Sequence, residues 1–148
     1  YLILQQDEPD DYVIATGVTT EIRVFVKKTF RELGISIQFS GEGEHEVGAL
    51  TDVDTSVFSE KVGEEYLAEL EERIARNPIA VKVDPEYYRP AEVELLIGHP
   101  TKANKRLGWM PEYNLEGLIK DMITSDVKLM KRERYLKNGG WDTLNYFE

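Results

Sequence analysis

The chain has 148 residues, of which 41% are apolar and 31% are charged. These proportions are typical of one folded globular domain and exclude a disordered chain. The formal charge of −10, from 28 acidic and 18 basic residues, argues against nucleic-acid binding because a polyanion would be repelled.

Neither a membrane span nor secretion is expected from the apolar pattern. No apolar run approaches the ~20 residues that a membrane-spanning helix needs. The first residues lack the basic region and cleavage site of a signal peptide. The sequence contains no cysteine, which suits a reducing compartment, so a cytoplasmic location is expected.

The first residues predict a chain that continues a longer one. Residue 1 is Tyr, and the apolar helical stretch "YLILQQ" has no capping residue before it. Helices normally begin at Ser, Thr, Asp or Asn. We therefore interpret this stretch as the end of a helix that starts outside the sequence.

The first third of the chain predicts strand, helix and strand in that order. Residues 12–16, "YVIAT", form a short apolar run closed by Gly17, which is typical of a buried strand. Apolar residues then recur at helical spacing from Thr19 or Thr20, the candidate caps, to Gly34. Residues 35–40 alternate apolar and polar side chains, which predicts a half-exposed strand.

The middle of the chain contains one ambiguous segment and two clear elements. Residues 48–58 are interpreted as a loop with one candidate strand, and 59–77 as a single amphipathic helix. Glu69–Arg73 and Glu72–Arg76 have the four-residue spacing of helical ion pairs. Residues 79–83 predict a strand, which Asp84 and Pro85 close.

The last third predicts two further helices. A candidate strand lies near 95–98, and Thr101 is a candidate cap for a helix that Gly108 ends. A long amphipathic helix starts near Asn114. The element order predicts a small α/β unit in which short strands are covered by helices.

The sequence contains no recognisable catalytic or metal-binding motif. The sequence has no Gly-x-Gly-x-x-Gly turn, no phosphate-binding P-loop and no Tyr-x-x-x-Lys pair. The only histidines, His45 and His99, are far apart in sequence. The acidic stretch 51–60 lacks the glycine and the final glutamate of a calcium loop. No catalytic, cofactor-binding or metal-binding residue is therefore predicted.

The segment "DPEYYRPAEV" contains the best candidate binding residues. Pro90 suits the first position of a helix, where Glu92 becomes the third residue and Arg89 is held extended. Free N–H groups at a helix start and the forked guanidinium of Arg89 together suit a pyrophosphate. The carboxylate of Glu92 can accept hydrogen bonds from a sugar diol.

A structural interpretation of the same residues stays open. Glutamate is common at the third helical position because it complements the helix start. Arg89 can equally pair with Glu92 or Asp84. Arg23, near the start of the first helix, has the same two readings, a ligand contact or a surface ion pair.

Several motifs in sequence order resemble the C-terminal half of GDP-mannose 4,6-dehydratases, which are extended short-chain dehydrogenases. These motifs are "YVIATG", "IRVFVKKTF", "VDPEYYRPAEVELLIGHPTKANKRLGWMP" and "LIKDMITSDVKLM". The resemblance covers nearly the whole chain. It implies that residues 1–148 form a single substrate-binding domain whose Rossmann core is missing.

The resemblance also implies that catalysis and substrate binding belong to different halves of the longer protein. The missing N-terminal half, the Rossmann domain, would bind NADP and carry the catalytic residues, and the full-length protein would be a homo-oligomer. GDP-mannose would be converted to GDP-4-dehydro-6-deoxy-mannose and water. Arg89 and Glu92 match the Arg and Glu with which family members hold the nucleotide portion of the substrate. The chain alone is expected to be inactive.

Three positions depart from the family pattern, and two alternative functions for the chain remain to be considered beside the one that the resemblance implies. His99 stands where an acidic residue is expected, Glu86 stands before the tyrosine pair where Arg is frequent, and 21–25 read "EIRVF". The first alternative is a part of another nucleotide-sugar dehydratase or epimerase. The second is a non-enzymatic α/β interaction module.

Overall fold

The structure is a computed structural model that describes residues 1–89 and 95–143. Its sheet has three antiparallel strands in the order β1, β2, β3. The strands are β1 (Ile35–Ser40), β2 (Val47–Val53) and β3 (Ile79–Lys82). The helices are α1 (Ile22–Glu32), α2 (Thr55–Lys61), α3 (Leu67–Arg76), α4 (Thr101–Leu107) and α5 (Leu115–Asn138). The predicted α/β class, with short strands covered by helices, is confirmed.

The strand predicted at 35–40 is confirmed as β1. Its side chains alternate, with Ile35 and Ile37 buried and Ser36 and Gln38 exposed. Since successive side chains of a strand point to opposite faces, this alternation places one face of the sheet on the core. The strand predicted at 79–83 is confirmed as β3, which ends one residue earlier.

The ambiguous segment 48–58 contains the central strand of the sheet and the start of a helix. β2 pairs with both β1 and β3. Asp54 caps α2, because its carboxylate accepts hydrogen bonds from the N–H groups of Ser56 and Val57, both at 3.1 Å. The candidate strand in this segment is thus confirmed, and the loop interpretation of its second half is wrong.

The single helix predicted at 59–77 is wrong. α2 ends at Lys61, a 3₁₀ turn follows at Glu64–Tyr66, and α3 begins at Leu67. Gly63 stands between them with φ of 125°, a backbone conformation that a glycine adopts readily and a helix does not contain. The glycine inside the amphipathic pattern therefore separates two helices.

Helices α1, α2 and α3 pack on one face of the sheet and form the core with it. Its buried side chains are Ile35, Ile37, Leu50 and Phe58. Partly buried side chains from α1 and α3, among them Phe30 and Leu70, surround them. Each large apolar side chain removed from water in this way contributes about 1.5–3 kcal/mol.

Helix caps differ from the prediction at two N-termini and agree elsewhere. α1 begins after Glu21 and α4 after Pro100, and neither has a side-chain cap bond, so Thr19, Thr20 and Thr101 are wrong as caps. These threonines lie one or two residues from the cap position, where their hydroxyls do not reach the free N–H groups. The predicted ends at Gly34 and Gly108 are confirmed, with φ of 76° and 65°.

The last helix begins where it was predicted. The side chain of Asn114 accepts a hydrogen bond from the N–H of Gly117 at 2.8 Å, which caps α5. α5 runs to Asn138 and contacts α1. Within residues 1–89 and 95–143, we find no helix with the length and apolar character needed to span a membrane.

Two predicted strands are wrong. Residues 12–16 and 95–98 have no strand structure. A strand requires a partner that accepts and donates backbone hydrogen bonds, and neither segment has one among the described residues. Val13 and Ile14 are consequently half exposed, at 52% and 51% of their surface, although their apolar sequence is that of a buried strand.

Candidate functional site

The candidate binding segment leaves the sheet at the end of β3. The N–H of Val83 donates to the carbonyl of Glu46 at 3.3 Å, which ties the segment to the loop between β1 and β2. Asp84 then starts a turn, since its carboxylate accepts from the N–H of Glu86 at 3.0 Å and its carbonyl accepts from Tyr87 at 3.1 Å. Aspartate favours such turns because its short side chain bonds to the nearby backbone.

Tyr88 fastens this turn to the loop between β1 and β2. A Cβ atom at Gly43 would lie 3.1 Å from the Tyr88 hydroxyl, so the phenol lies directly over the backbone of the loop. Gly43 has φ of 57° and offers no side chain to block this approach. Tyr88, which is 39% exposed, thus packs against this loop, whereas Tyr87 is 76% exposed.

Arg89, the first candidate binding residue, follows the turn directly and is exposed. The contact of its neighbour Tyr88 with Gly43 places Arg89 at the end of the sheet that carries the β1–β2 loop. Glu92, the second candidate, lies outside the described residues. The predicted pairing of these two side chains around a ligand therefore stays a prediction.

Arg23 lies at the same end of the sheet as this segment. It projects from the first turn of α1, and its Nε donates to Glu46 Oε1 at 2.7 Å. The guanidinium is 6.0 Å from the centre of the Phe39 ring, and the Lys27 ammonium is 5.8 Å from the same ring. Of the two readings of Arg23, the ion pair is present, and a ligand contact stays a prediction.

Glu46 links these parts of the site. Its carboxylate holds Arg23, and its carbonyl accepts from Val83 at the entrance to the binding segment. Two cationic side chains, Arg23 and Lys27, thus stand on α1 beside the loop over which Tyr88 packs. The Arg23 charge is already balanced by Glu46, and the same loop carries Glu42 and Glu44, so these two cations do not make a net positive surface.

A cleft that the motif search missed, lined by both apolar and polar side chains, lies between the start of α1 and the start of α5. Its volume is about 950 Å³. Its polar side chains include Thr19, Thr20, Lys28, Tyr113 and Asn114. Lys28 forms an ion pair with Glu116, and the ammonium lowers the pKa of that carboxyl. The residues that line the cleft come from 16–28 and 111–118. Because these two segments are far apart in sequence, the cleft could not be predicted from sequence motifs.

A second, apolar crevice of about 460 Å³ lies between α5 and the core. Core residues such as Phe30 and Leu50 line its floor, and Ile123, Val127 and Met130 line it from α5. Arg134 closes one side by binding Glu69 at 2.7 Å, and its guanidinium is 4.8 Å from the Tyr66 ring. Arg89 lines neither cavity.

The histidines form no metal site. His45 is exposed, with Nε2 3.7 Å from Glu44 Oε1, and His99 is exposed. In the part of the chain that the structure describes, no group of three or more His, Cys, Asp or Glu could hold a metal ion.

The sequence model of the family described as "GDP-mannose 4,6 dehydratase" matches residues 1–122. The GDP-mannose 4,6-dehydratase of Yersinia enterocolitica is 41% identical over 143 residues, which cover 96% of this chain and 35% of that protein. A Vibrio cholerae GDP-mannose 4,6-dehydratase is 38% identical with the same coverage.

The likeness extends to a human relative. The Homo sapiens GDP-mannose 4,6 dehydratase is 36% identical over 131 residues, which cover 88% of this chain and 29% of that protein. The chain thus spans about a third of the length of the curated relatives it matches. The family match covers most of the chain, including Arg89 and the described residues around it. The chain belongs to the GDP-mannose 4,6-dehydratase family.

Proposed function

We propose that the chain is the substrate-binding domain of a GDP-mannose 4,6-dehydratase and that residues 1–148 form this single domain. The observation that carries the proposal is the family match over residues 1–122, which contains the Arg-Pro-x-Glu stretch at 89–92. The longer protein would convert GDP-mannose to GDP-4-dehydro-6-deoxy-mannose and water.

In this proposal Arg89 and Glu92 hold the nucleotide part of the substrate. The Arg89 guanidinium presents a planar fork of donors, which matches the oxygens of a diphosphate. Its position supports this role, because Asp84 shapes the preceding turn, Tyr88 packs that turn on the β1–β2 loop, and Arg89 is exposed directly after it. Glu92 accepts hydrogen bonds from the ribose diol.

The chain is proposed to bind substrate without performing the chemistry. NADP, the cofactor that this dehydration needs, does not fit the residues present, because the sequence has no Gly-x-Gly-x-x-Gly turn to hold its diphosphate. The cofactor and the catalytic groups are therefore assigned to the remainder of the longer protein, its Rossmann domain. The isolated chain is inactive in this proposal, the longer protein is a homo-oligomer, and its location is cytoplasmic.

Kinetics of the longer protein test the proposal. GDP-mannose turnover with NADP⁺ is expected for the longer protein, and none for the 148-residue chain. Arg89→Ala should raise KM for GDP-mannose. An unchanged KM in that variant would show that Arg89 does not bind the substrate. Turnover by the chain alone would show that the catalytic groups do not lie in the remainder of the longer protein.

A further inference from the structure

The sequence contains a single Asn-Gly pair, Asn138–Gly139, at the end of α5. The side-chain amide of an asparagine can react with the backbone nitrogen of the residue that follows it. Glycine hinders this attack least, because it has no side chain beside the nitrogen. The other asparagines precede residues with side chains, and Asn77 precedes Pro78, whose nitrogen carries no hydrogen. Asn138 is therefore the asparagine whose sequence context favours the reaction most.

The last turn of α5 holds Asn138 in a conformation that blocks the reaction. Asn138 is the last helical residue, and the N–H of Gly139 donates to the carbonyls of Tyr135 and Leu136, both at 3.1 Å. A helical side chain points back toward the N-terminus, away from the nitrogen of the next residue. That nitrogen is also occupied by its hydrogen bonds. The reaction therefore requires the last turn to open.

Two further hydrogen bonds close this turn. The N–H of Gly140 donates to the Lys137 carbonyl, and the N–H of Trp141 donates to the Leu136 carbonyl, both at 3.0 Å. Together they form a Schellman motif, in which the residue after the cap has a positive φ, here 77° at Gly140. The stability of this motif therefore sets how frequently the Gly139 nitrogen becomes free to react.

The side chains of this turn give it little tertiary support. Tyr135 is 79% exposed, and residues 137–140 are exposed as well. Leu136 is partly buried. Helix ends with exposed backbone hydrogen bonds open at a small cost in free energy. We therefore expect the turn to open within the native state, while the core stays folded.

We propose that Asn138 is a site of spontaneous deamidation whose rate is controlled by the Schellman motif at the end of α5. When the turn opens, the Gly139 nitrogen loses its proton to solvent and forms a bond to Cγ of Asn138. The bond from Cγ to Nδ2 breaks, Nδ2 takes up a proton and leaves as ammonia, and a succinimide ring remains. Water then opens the ring at either carbonyl, which gives aspartate or isoaspartate. The reaction needs water alone, and the inference does not depend on the proposed function.

Neither product can rebuild the same helix end. In isoaspartate the main chain runs through the former side chain, which inserts an extra methylene group before Gly139. The spacing that brings Gly140 to the Lys137 carbonyl and Trp141 to the Leu136 carbonyl is then lost. Both products also place a negative charge at the C-terminus of a helix, where the helix dipole disfavours it. Deamidation should therefore release the segment that follows Asn138 from the end of α5.

Peptide mass spectrometry of the 148-residue chain, incubated at mildly alkaline pH, tests the site. In guanidinium chloride, Asn138 should be converted to aspartate and isoaspartate faster than Asn104 or Asn114. In native buffer the reaction at Asn138 should be slower by about tenfold or more, because the closed turn excludes it. Equal rates at the three asparagines in denaturant would overturn the assignment of Asn138. Equal rates at Asn138 in the two solvents would show that the folded turn does not restrain it.

Two matched glycine substitutions test control by the Schellman motif. Gly140 and Gly108 have φ of 77° and 65°, and a Cβ atom at either position meets nothing within 4 Å. Gly140→Ala should accelerate deamidation of Asn138 about tenfold in native buffer, because alanine strains the left-handed conformation that closes the turn. Gly108→Ala places the same strain at the end of α4 and should leave the rate at Asn138 unchanged. Equal acceleration by both variants, or by neither, would overturn the control proposed for this motif.

Discussion

Arg23 and Glu46 are joined by an ion pair that connects α1 to the loop between β1 and β2, with Arg23 Nε 2.7 Å from Glu46 Oε1. The Arg23 side chain is 48% exposed and that of Glu46 only 19%. Since Glu46 also accepts from the N–H of Val83, the pair stabilises the place where the candidate binding segment leaves the sheet. A partly exposed pair of this kind contributes modestly to folding, because water screens it.

We expect a coupling free energy of about 0.2–1 kcal/mol between Arg23 and Glu46. Urea unfolding of Arg23→Ala, Glu46→Ala and the double variant would measure it, since the cycle isolates the pairwise contribution. Arg132→Ala, a change at another exposed arginine, combined with Glu46→Ala should show additive losses. Additive losses for the Arg23 pair would mean that the contact contributes nothing to stability.

Arg89→Ala in the longer protein should raise KM for GDP-mannose by about one to two orders of magnitude. A hydrogen bond to a charged group contributes about 1.5–3 kcal/mol, and each 1.4 kcal/mol is about tenfold in affinity. kcat should change little, because a contact made equally in the ground and transition states affects only binding. Arg132→Ala serves as the control for the loss of one exposed positive charge. A fall in kcat at constant KM would contradict a binding role.

Gly34→Ala should destabilise the chain more than Gly108→Ala does. Both glycines end a helix with positive φ, at 76° and 65°, so both substitutions incur about 1–2 kcal/mol of backbone strain. At Gly34 the new Cβ would also lie 2.9 Å from the Asp54 carbonyl oxygen, whereas at Gly108 it meets nothing within 4 Å. Chemical denaturation should therefore show a larger loss at Gly34, and equal losses would mean that the Asp54 backbone moves aside freely.

Asn114→Ala should lower the free energy of unfolding by about 0.5–2 kcal/mol. The substitution removes the oxygen that accepts from Gly117 N–H at 2.8 Å and leaves the first turn of α5 without its cap. Asn114→Asp keeps an acceptor and should retain most of the stability. Thermal melts of both variants measure the two losses of stability. If Asn114→Asp loses as much stability as Asn114→Ala, the hydrogen bond accepted by the side-chain oxygen is not what stabilises the start of α5.

Acid should abolish the contribution of Asp10 to stability. The pKa of Asp10 is lowered by its hydrogen bond to Lys102, by the N–H of Asp11 and by the charges of Lys102 and Arg106. A carboxyl with a lowered folded-state pKa stabilises the fold above its unfolded value, here 3.8, and this contribution is lost as the pH falls through the folded pKa. Asp10→Asn should therefore melt at a lower temperature than the wild-type chain at neutral pH, and the difference should shrink in strong acid. A difference that does not depend on pH would exclude the charge as its cause.

Local patterns were sufficient to predict the elements whose partners lie within the chain. Alternation over 35–40 identified β1, because its buried face packs on helices of the same unit. Asn114 and Gly108 marked helix ends because capping depends on a few neighbouring residues. The run at 12–16 misled the prediction, since its composition indicates burial but nothing in the described chain pairs with it.

Long-range contacts of the candidate site were not predictable in the same way. The pairing of Arg23 with Glu46 joins residues that lie 23 positions apart, and no periodicity signals such a contact. The Glu69–Arg73 pair is wrong for a similar reason, because Glu69 bonds instead to Arg134 of α5. The spacing rule did identify Glu72–Arg76, which lie 2.6 Å apart. The roles of Arg89 and Glu92 stay predictions from the family resemblance.

The order of the strands in the sheet has a consequence for how the chain reaches its native state. Each strand pairs with the one that follows it in sequence, and β1 and β2 are separated by only the six residues 41–46. Closing short loops costs little chain entropy, and low contact order favours rapid folding. The hairpin of β1 and β2 is therefore a local unit that can form early in folding, whereas β3 joins it only after the longer segment 54–78 has folded.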